Sequence, residues 1–375
     1  VPARDRDLKP ATRALHPGGE TPEQGAPIGP QPVFAAPFHL RGDPADSPYG
    51  YGRYDTPTWS AYEAALGALE DADVLLFASG MAAAAAVLLT ALRPGDAVLL
   101  PADGYYQVRA LAAEHLEPRG VDVRTAPTDA EAIRAALPGA TVLWLESPSN
   151  PGLDVVDLQA LAQAGHAEGA LVVTDNTLAT PLGQSPLDLG VDVSMMSLTK
   201  GMSGHSDLLL GSVATRSPEQ HERLARWRSL AGPIPGTFEA WLAHRSLATL
   251  DVRLQRMCAN ALALAETLRG RDDLLDLRYP GLPDDRGHAT AARQMRLFGP
   301  VVSFTLRDAD TAQRFLDAAG LVTEATSFGG THTMAERRQR WGSDGVAEGL
   351  VRLSAGLEDP DDLIKDVTRA LDAVG

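Results

Sequence analysis

Short apolar runs alternate with stretches of helical spacing along much of this chain, and that alternation predicts its architecture. Trp59 to Glu70 places Tyr62, Leu66 and Leu69 at a helical interval. Val74 to Phe77 reads as a short strand, and Ser79-Gly80 leads into an alanine-rich helix from Met81 to Leu92. The turn R-P-G-D then precedes a strand from Ala97 to Leu100. Further strands are expected at Val121 to Thr125, Thr141 to Leu145, Leu171 to Thr174 and Val191 to Met196, with helices at Asp129 to Leu137 and Leu158 to Glu168. Apolar strands separated by amphipathic helices predict an α/β fold, a mostly parallel sheet flanked by helices. In such sheets ligands gather beyond the carboxyl ends of the strands. The chemically capable residues fall there: Ser79-Gly80, Tyr105, Asn150, Asp175 and Ser197 to Lys200.

The pattern changes on either side. Residues 1–45 are rich in Pro, Gly and charge without a sustained period, and predict an extended arm. Residues 46–240 hold the alternating elements, and residues 241–375 a smaller α+β domain. One long helix from Trp241 to about Leu268, apolar at Leu254, Met257, Ala261, Leu264 and Leu268, is expected to join the two. Beyond it, strands near Leu275 to Tyr279, Val301 to Leu306 and Gly349 to Ser354 interleave with helices over 310–319 and 360–373.

Charge and composition narrow the function classes. A formal charge of −16 disfavours nucleic acid and anionic membranes as partners. The single cysteine, Cys258, excludes an intrachain disulfide and a thiolate-rich zinc site. The first residues lack the apolar core of a secretory signal, and Met81 to Leu92 falls short of the roughly 20 residues a membrane span needs. A cytoplasmic protein is the expectation.

Three lysines stand against thirty arginines, and two of the three, Lys9 and Lys365, lie in polar surroundings. Lys200 follows an apolar strand amid hydroxyls and glycines, V-D-V-S-M-M-S-L-T-K-G-M-S-G-H-S-D. Arginine cannot serve imine chemistry, because its guanidinium stays protonated, so a lysine kept here points to a need for an amine. Pyridoxal phosphate would need such an amine, an anion at its ring nitrogen, donors for its phosphate, a flat partner for its ring and a cation for the substrate carboxylate. Asp175, closing L-V-V-T-D, is the candidate anion, with a simple turn-capping acid as the alternative. Ser79-Gly80-Met81 opens a helix whose first N–H groups lack acceptors, and Ser197 and Thr199 offer hydroxyls to the same anion. Ser79 also reads as an ordinary N-cap. Tyr105 is the candidate ring partner, with Tyr106 beside it, and Arg352 in V-R-L-S-A-G is the candidate carboxylate fork. His205 reads as structural.

Several motifs resemble one family. S-L-T-K-G-M-S-G-H-S-D-L-L-L-G, E-S-P-S-N-P, T-D-N-T-L-A-T-P and R-L-S-A-G-L-E-D look like signatures of the Cys/Met-metabolism pyridoxal-phosphate enzymes, the group of cystathionine γ-lyase, cystathionine γ-synthase and methionine γ-lyase. The resemblance runs from about Tyr49 to the C-terminus. It implies an aminotransferase-like (fold type I) architecture and a homotetramer of active-site dimers. By motif position it implies Lys200 as the imine lysine, Asp175 as the pyridinium partner, Tyr105 as the stacking tyrosine, and Gly80, Met81, Ser197 and Thr199 around the phosphate. Y-G-R-Y-D-T-P-T would supply Tyr51 and Arg53 to the phosphate in the neighbouring subunit, while Arg352, Asn150, Ser327 and Thr326 face the substrate. The chain departs from the family pattern at Thr326, Gln107 and Met196, and in the stretch T-H-T-M-A-E-R-R-Q-R-W-G. The expected reaction is γ-elimination from a sulfur amino acid, L-cystathionine first. Methionine γ-elimination, and γ-replacement of the cystathionine γ-synthase or O-acylhomoserine sulfhydrylase kind, are the alternatives within the family. A non-catalytic cofactor binder and a cofactor-free Schiff-base aldolase stand outside it.

Overall fold

A computed structural model describes residues 8–16, 24–342 and 344–375. The larger sheet has seven strands: β1 (Asp73–Phe77), β2 (Ala97–Pro101), β3 (Asp122–Ala126), β4 (Val142–Glu146), β5 (Leu171–Asp175), β6 (Val193–Ser197) and β7 (Gly211–Thr215). Their order is β1-β7-β6-β5-β4-β2-β3. The central pairs are parallel, and β7 runs antiparallel to both β6 and β1. The register sets Glu146 opposite Asp175 and carries both to one edge, where β6 ends at Ser197. That edge is where the crossovers leave a crevice.

The expected strands and helices appear within a few residues of their predicted limits. The helix Gly80–Ala91 starts because Ser79 is extended and its hydroxyl accepts the Ala82 N–H. Its alanines, Ala83, Ala84 and Ala86, are fully buried, and their small side chains let it lie close on the sheet.

A second sheet, in the order β10-β11-β12-β9-β8, comprises β8 (Asp276–Arg278), β9 (Val301–Thr305), β10 (Thr323–Glu324), β11 (Met334–Arg337) and β12 (Leu350–Ser354). Its core combines Val302, Phe304, Val351 and Leu353 with Phe315 and with Leu363, Val367 and Leu371 of the helix Pro360–Asp372. Each of those last three side chains contributes about 2 kcal/mol by burial.

Two expectations change. The single helix from Trp241 is two, Thr237–Ser246 and Leu250–Leu268, with a tight turn over Leu247–Thr249. Arg253 holds the break, donating to the Ser246 carbonyl and the Thr249 hydroxyl, and also to the carbonyls of Gly201 and Met202. The N-terminal stretch is not extended throughout: Pro10–Leu15 is a helix, with Ala14 buried and Arg13 donating to the Ala68 carbonyl. The remainder of that expectation, over residues 1–7 and 17–23, lies outside the described residues. No helix among the described residues is long and apolar enough to cross a membrane.

Candidate active site

A cavity of about 410 Å³ opens where the ends of β4, β5 and β6 meet the loop before β11. Lys200 lies on the turn after β6, and its Nζ donates to the Ser327 hydroxyl at 2.7 Å. The Phe328 ring faces both cations, 5.5 Å from Lys200 and 5.3 Å from Arg352. Burial first, and then the Arg352 guanidinium, push the Lys200 ammonium down to about 8; Glu336 and Asp175 oppose this. Ser327 has φ +85, a left-handed backbone unusual for serine. Its carbonyl accepts from Arg352 at 2.8 Å while its hydroxyl meets Lys200, so the strained residue ties the two cations together.

Asp175 is 8% exposed and accepts the Thr177 N–H at 2.9 Å. Burial raises its carboxyl, against the Thr177 hydrogen bonds and Lys200. Glu146 stands beside it, raised well above the ordinary range by burial and next by Asp175, and it accepts the Tyr105 N–H at 2.7 Å. Tyr105 and Tyr106 both line the cavity, edge to face with centroids 5.4 Å apart, so the choice between them stays open on geometry alone.

Ser79, Gly80 and Met81 form the opposite end. The N–H groups of Gly80 and Met81 have no acceptor among the described residues. A Cβ on Gly80 would sit 2.7 Å from the Ser197 Cβ, so the helix start approaches β6 only because residue 80 is glycine. Ser197 and Thr199 line the same end; the Thr199 hydroxyl is engaged with the backbone of Leu210. An aldehyde-reactive amine, a buried acid and a helix-start anion cradle around one cavity fit pyridoxal phosphate.

Arg352 is 3% exposed and donates to Asn150 Oδ1 at 2.6 Å and to Glu336 Oε1 at 2.6 Å, leaving its Nε buried without a partner among the described residues. Glu336, paired with Arg352 in the β11–β12 register, also accepts from Arg338 and from the Trp341 indole. Arg338 is held in turn by Asp344. Arg338, Trp341, Thr326, Ser327 and Asn150 all line the cavity. The stretch that departs from the family pattern therefore builds the wall around Arg352.

Sequence reasoning missed Glu146 and Glu336. Glu146 ends the apolar run V-L-W-L-E just as Asp175 ends L-V-V-T-D, a parallel visible in the sequence. Glu336 lay hidden because an acid before R-R reads as surface charge. Two predicted departures fall elsewhere: Met196 packs into the core on the opposite face of β6, and Gln107 is not in the cavity wall. Tyr51 and Arg53 are also outside this cavity. Arg53 bonds the Ser229 carbonyl and lies over the rings of Tyr51 and Tyr54, and Tyr51 is exposed.

The fold and cavity are of the class built by pyridoxal-phosphate enzymes of the aminotransferase-like type. Comparison with known proteins carries this further. Residues 33–372 match the model of the Cys/Met metabolism PLP-dependent enzymes. A Streptomyces coelicolor protein, provisionally named a cystathionine gamma-lyase, is 55% identical over 96% of this chain and 93% of its own. The cystathionine gamma-synthase of Mycobacterium bovis is 40% identical over 96% of each. The crystal structure of apo CalE6, a methionine gamma lyase from Micromonospora echinospora, superposes with a TM-score of 0.91 at 38% identity, covering 98% of this chain and 100% of that one. The chain belongs to the Cys/Met metabolism family of PLP-dependent enzymes.

Proposed function

We propose that this chain catalyses γ-elimination from L-cystathionine, taking up water and releasing cysteine, 2-oxobutyrate and ammonia. The observation that carries it is the convergence of Lys200, its ammonium lowered to about 8, and the Arg352 fork on one cavity. The 55% identical relative bears the name of that activity.

Bound pyridoxal phosphate supplies an aldehyde for amines and a cationic ring that takes up the electron pair released at the α-carbon. Gly80, Met81, Ser197 and Thr199 hold its phosphate, Tyr105 covers its ring, and Asp175 places an anion at the ring nitrogen. Arg352 and Asn150, with Ser327 and Thr326 nearby, orient the substrate carboxylate, the unpartnered Nε being a ready donor. Lys200 as free amine takes the α-proton and moves the next from the β-carbon. Tyr105, its phenol raised by burial and then by Tyr106, keeps a proton to give the leaving sulfur.

Within this reading the enzyme is a cytoplasmic homotetramer of active-site dimers. The position of Tyr51 and Arg53 outside this cavity, with Tyr51 exposed, supports their reaching a neighbour's phosphate site, and the buried free Cys258 suits a reducing compartment. Lys200→Ala is expected to abolish 2-oxobutyrate release from cystathionine; persistent release overturns the assignment. A substrate panel of cystathionine, methionine and an O-acylhomoserine, read for 2-oxobutyrate and thiol, separates elimination from replacement. Methionine as the best substrate would favour the γ-lyase activity named for CalE6.

A further inference from the structure

Strands β4 and β5 finish alike, each delivering a buried acid to the cavity floor, with Glu146 directly beside Asp175 in register. Neighbouring parallel strands lie about 4.8 Å apart, and two carboxylates sharing such a site cannot both ionise readily. Their partners differ. Asp175 accepts from Thr177 and feels the charge of Lys200. Among the described residues, Glu146 accepts only the neutral Tyr105 N–H.

Among the described residues, the groups facing Glu146 from adjoining elements give it no charged hydrogen-bond partner, although Arg352 across the cavity feels its field. Asp103, on the loop after β2, spends both oxygens on Thr128. Arg109, on the following helix, donates to the carbonyls of Pro101 and Gly104 and acts on Glu146 only through its field. Tyr105 offers its backbone, and Asp175 adds like charge. These contacts favour Glu146 over Asp175 as the holder of a shared proton.

The same carboxyl also fastens a loop. A Cβ on Gly104 would sit 2.6 Å from Pro101 Cγ and 2.8 Å from Glu146 Oε2, so the turn carrying Tyr105 packs closely against both the proline and the acid. We propose that Glu146 is a positioning residue working in its protonated form: it anchors the Tyr105 loop to the cavity floor and leaves Asp175 the only anion facing the cofactor's ring nitrogen. This rests on the roles given above to Tyr105 and Asp175.

The test is titration of cofactor-free protein with pyridoxal phosphate, following the visible band of the bound form from pH 6 to 9. Glu146→Gln presents the same neutral acceptor and is expected to keep wild-type affinity within about threefold, with an unchanged pH profile. Glu146→Leu removes the anchor and is expected to lose affinity by about tenfold or more. Tyr105→Ala added to Glu146→Leu should cost little further, because both act through one loop. A Gln variant as weak as Leu, or one with its pH profile moved by about a unit or more, overturns the proposal by showing that the charge is needed. A Leu variant that binds like wild type overturns the anchor. Should Glu146→Leu fail to fold, Glu146→Asp, one carbon short of Tyr105, is expected to show the same loss, and wild-type affinity in it refutes the proposal. Wild-type protein that forms no visible band, or Asp175→Asn that leaves band and affinity untouched, would instead sink the underlying site assignment.

Discussion

The acidity of Lys200 can be measured before any substrate is added. An ordinary lysine titrating at 10.5 is a free amine in about one molecule in three thousand at pH 7, whereas one titrating at about 8 is free in about one in ten. The cavity thus raises the nucleophilic fraction by about 300-fold, a gain that comes first from burial and next from Arg352. Stopped-flow capture of pyridoxal phosphate by cofactor-free protein should speed up about tenfold per pH unit to about pH 8 and flatten above it. Arg352→Leu removes a neighbouring cation and should move the break to higher pH. Asp175→Asn removes a neighbouring anion and should move it lower. A rate that keeps climbing at unit slope past about pH 9.5 would show a solvent-like lysine and refute the argument.

Two other outcomes follow from the geometry. Arg352→Lys keeps the charge but loses the fork that meets Asn150, Ser327 and Glu336. With charged hydrogen bonds contributing about 1.5–3 kcal/mol each, glycine binding to the cofactor-loaded protein should weaken by about tenfold or more, while methylamine, lacking a carboxylate, binds unchanged. Equal losses for both ligands would remove Arg352 from the carboxylate site. Glu70 is buried with one oxygen unpartnered among the described residues, and burial pushes its carboxyl up to about 8. The folded protein therefore keeps a proton that the unfolded chain sheds near 4.5, and stability falls as pH rises from there to about 8. Glu70→Gln should match wild type near pH 4.5 and exceed it at pH 9, by on the order of 1–4 kcal/mol, in urea midpoints at the two values. Parallel pH profiles for the two proteins would contradict this.

The parallel core was readable because its strands are apolar on both faces. The return strand β7 was not, since G-S-V-A-T is small and half polar, and its place between β6 and β1 follows from tertiary pairing. The helix break at Leu247–Thr249 hid for a similar reason: helical spacing persists across it, and the side chain that completes the turn, Arg253, follows it in sequence. At the site, Lys200 and Asp175 stood out by residue type against their surroundings. Glu336 takes its meaning from Arg352 on the facing strand, a partner that linear order conceals.

Lys200 is gripped from two directions, by the Arg253 clamp on the carbonyls just after it and by Ser327 and Phe328 from the loop between β10 and β11. Its side chain is partly buried, and it stays so only while those two segments remain in contact. If they part, water reaches the amine and it recovers the basicity of a surface lysine, so the reagent disarms itself whenever the cleft gapes. Burial and nucleophilicity are then linked, and titrating this single nitrogen gauges how closely the two segments hold it.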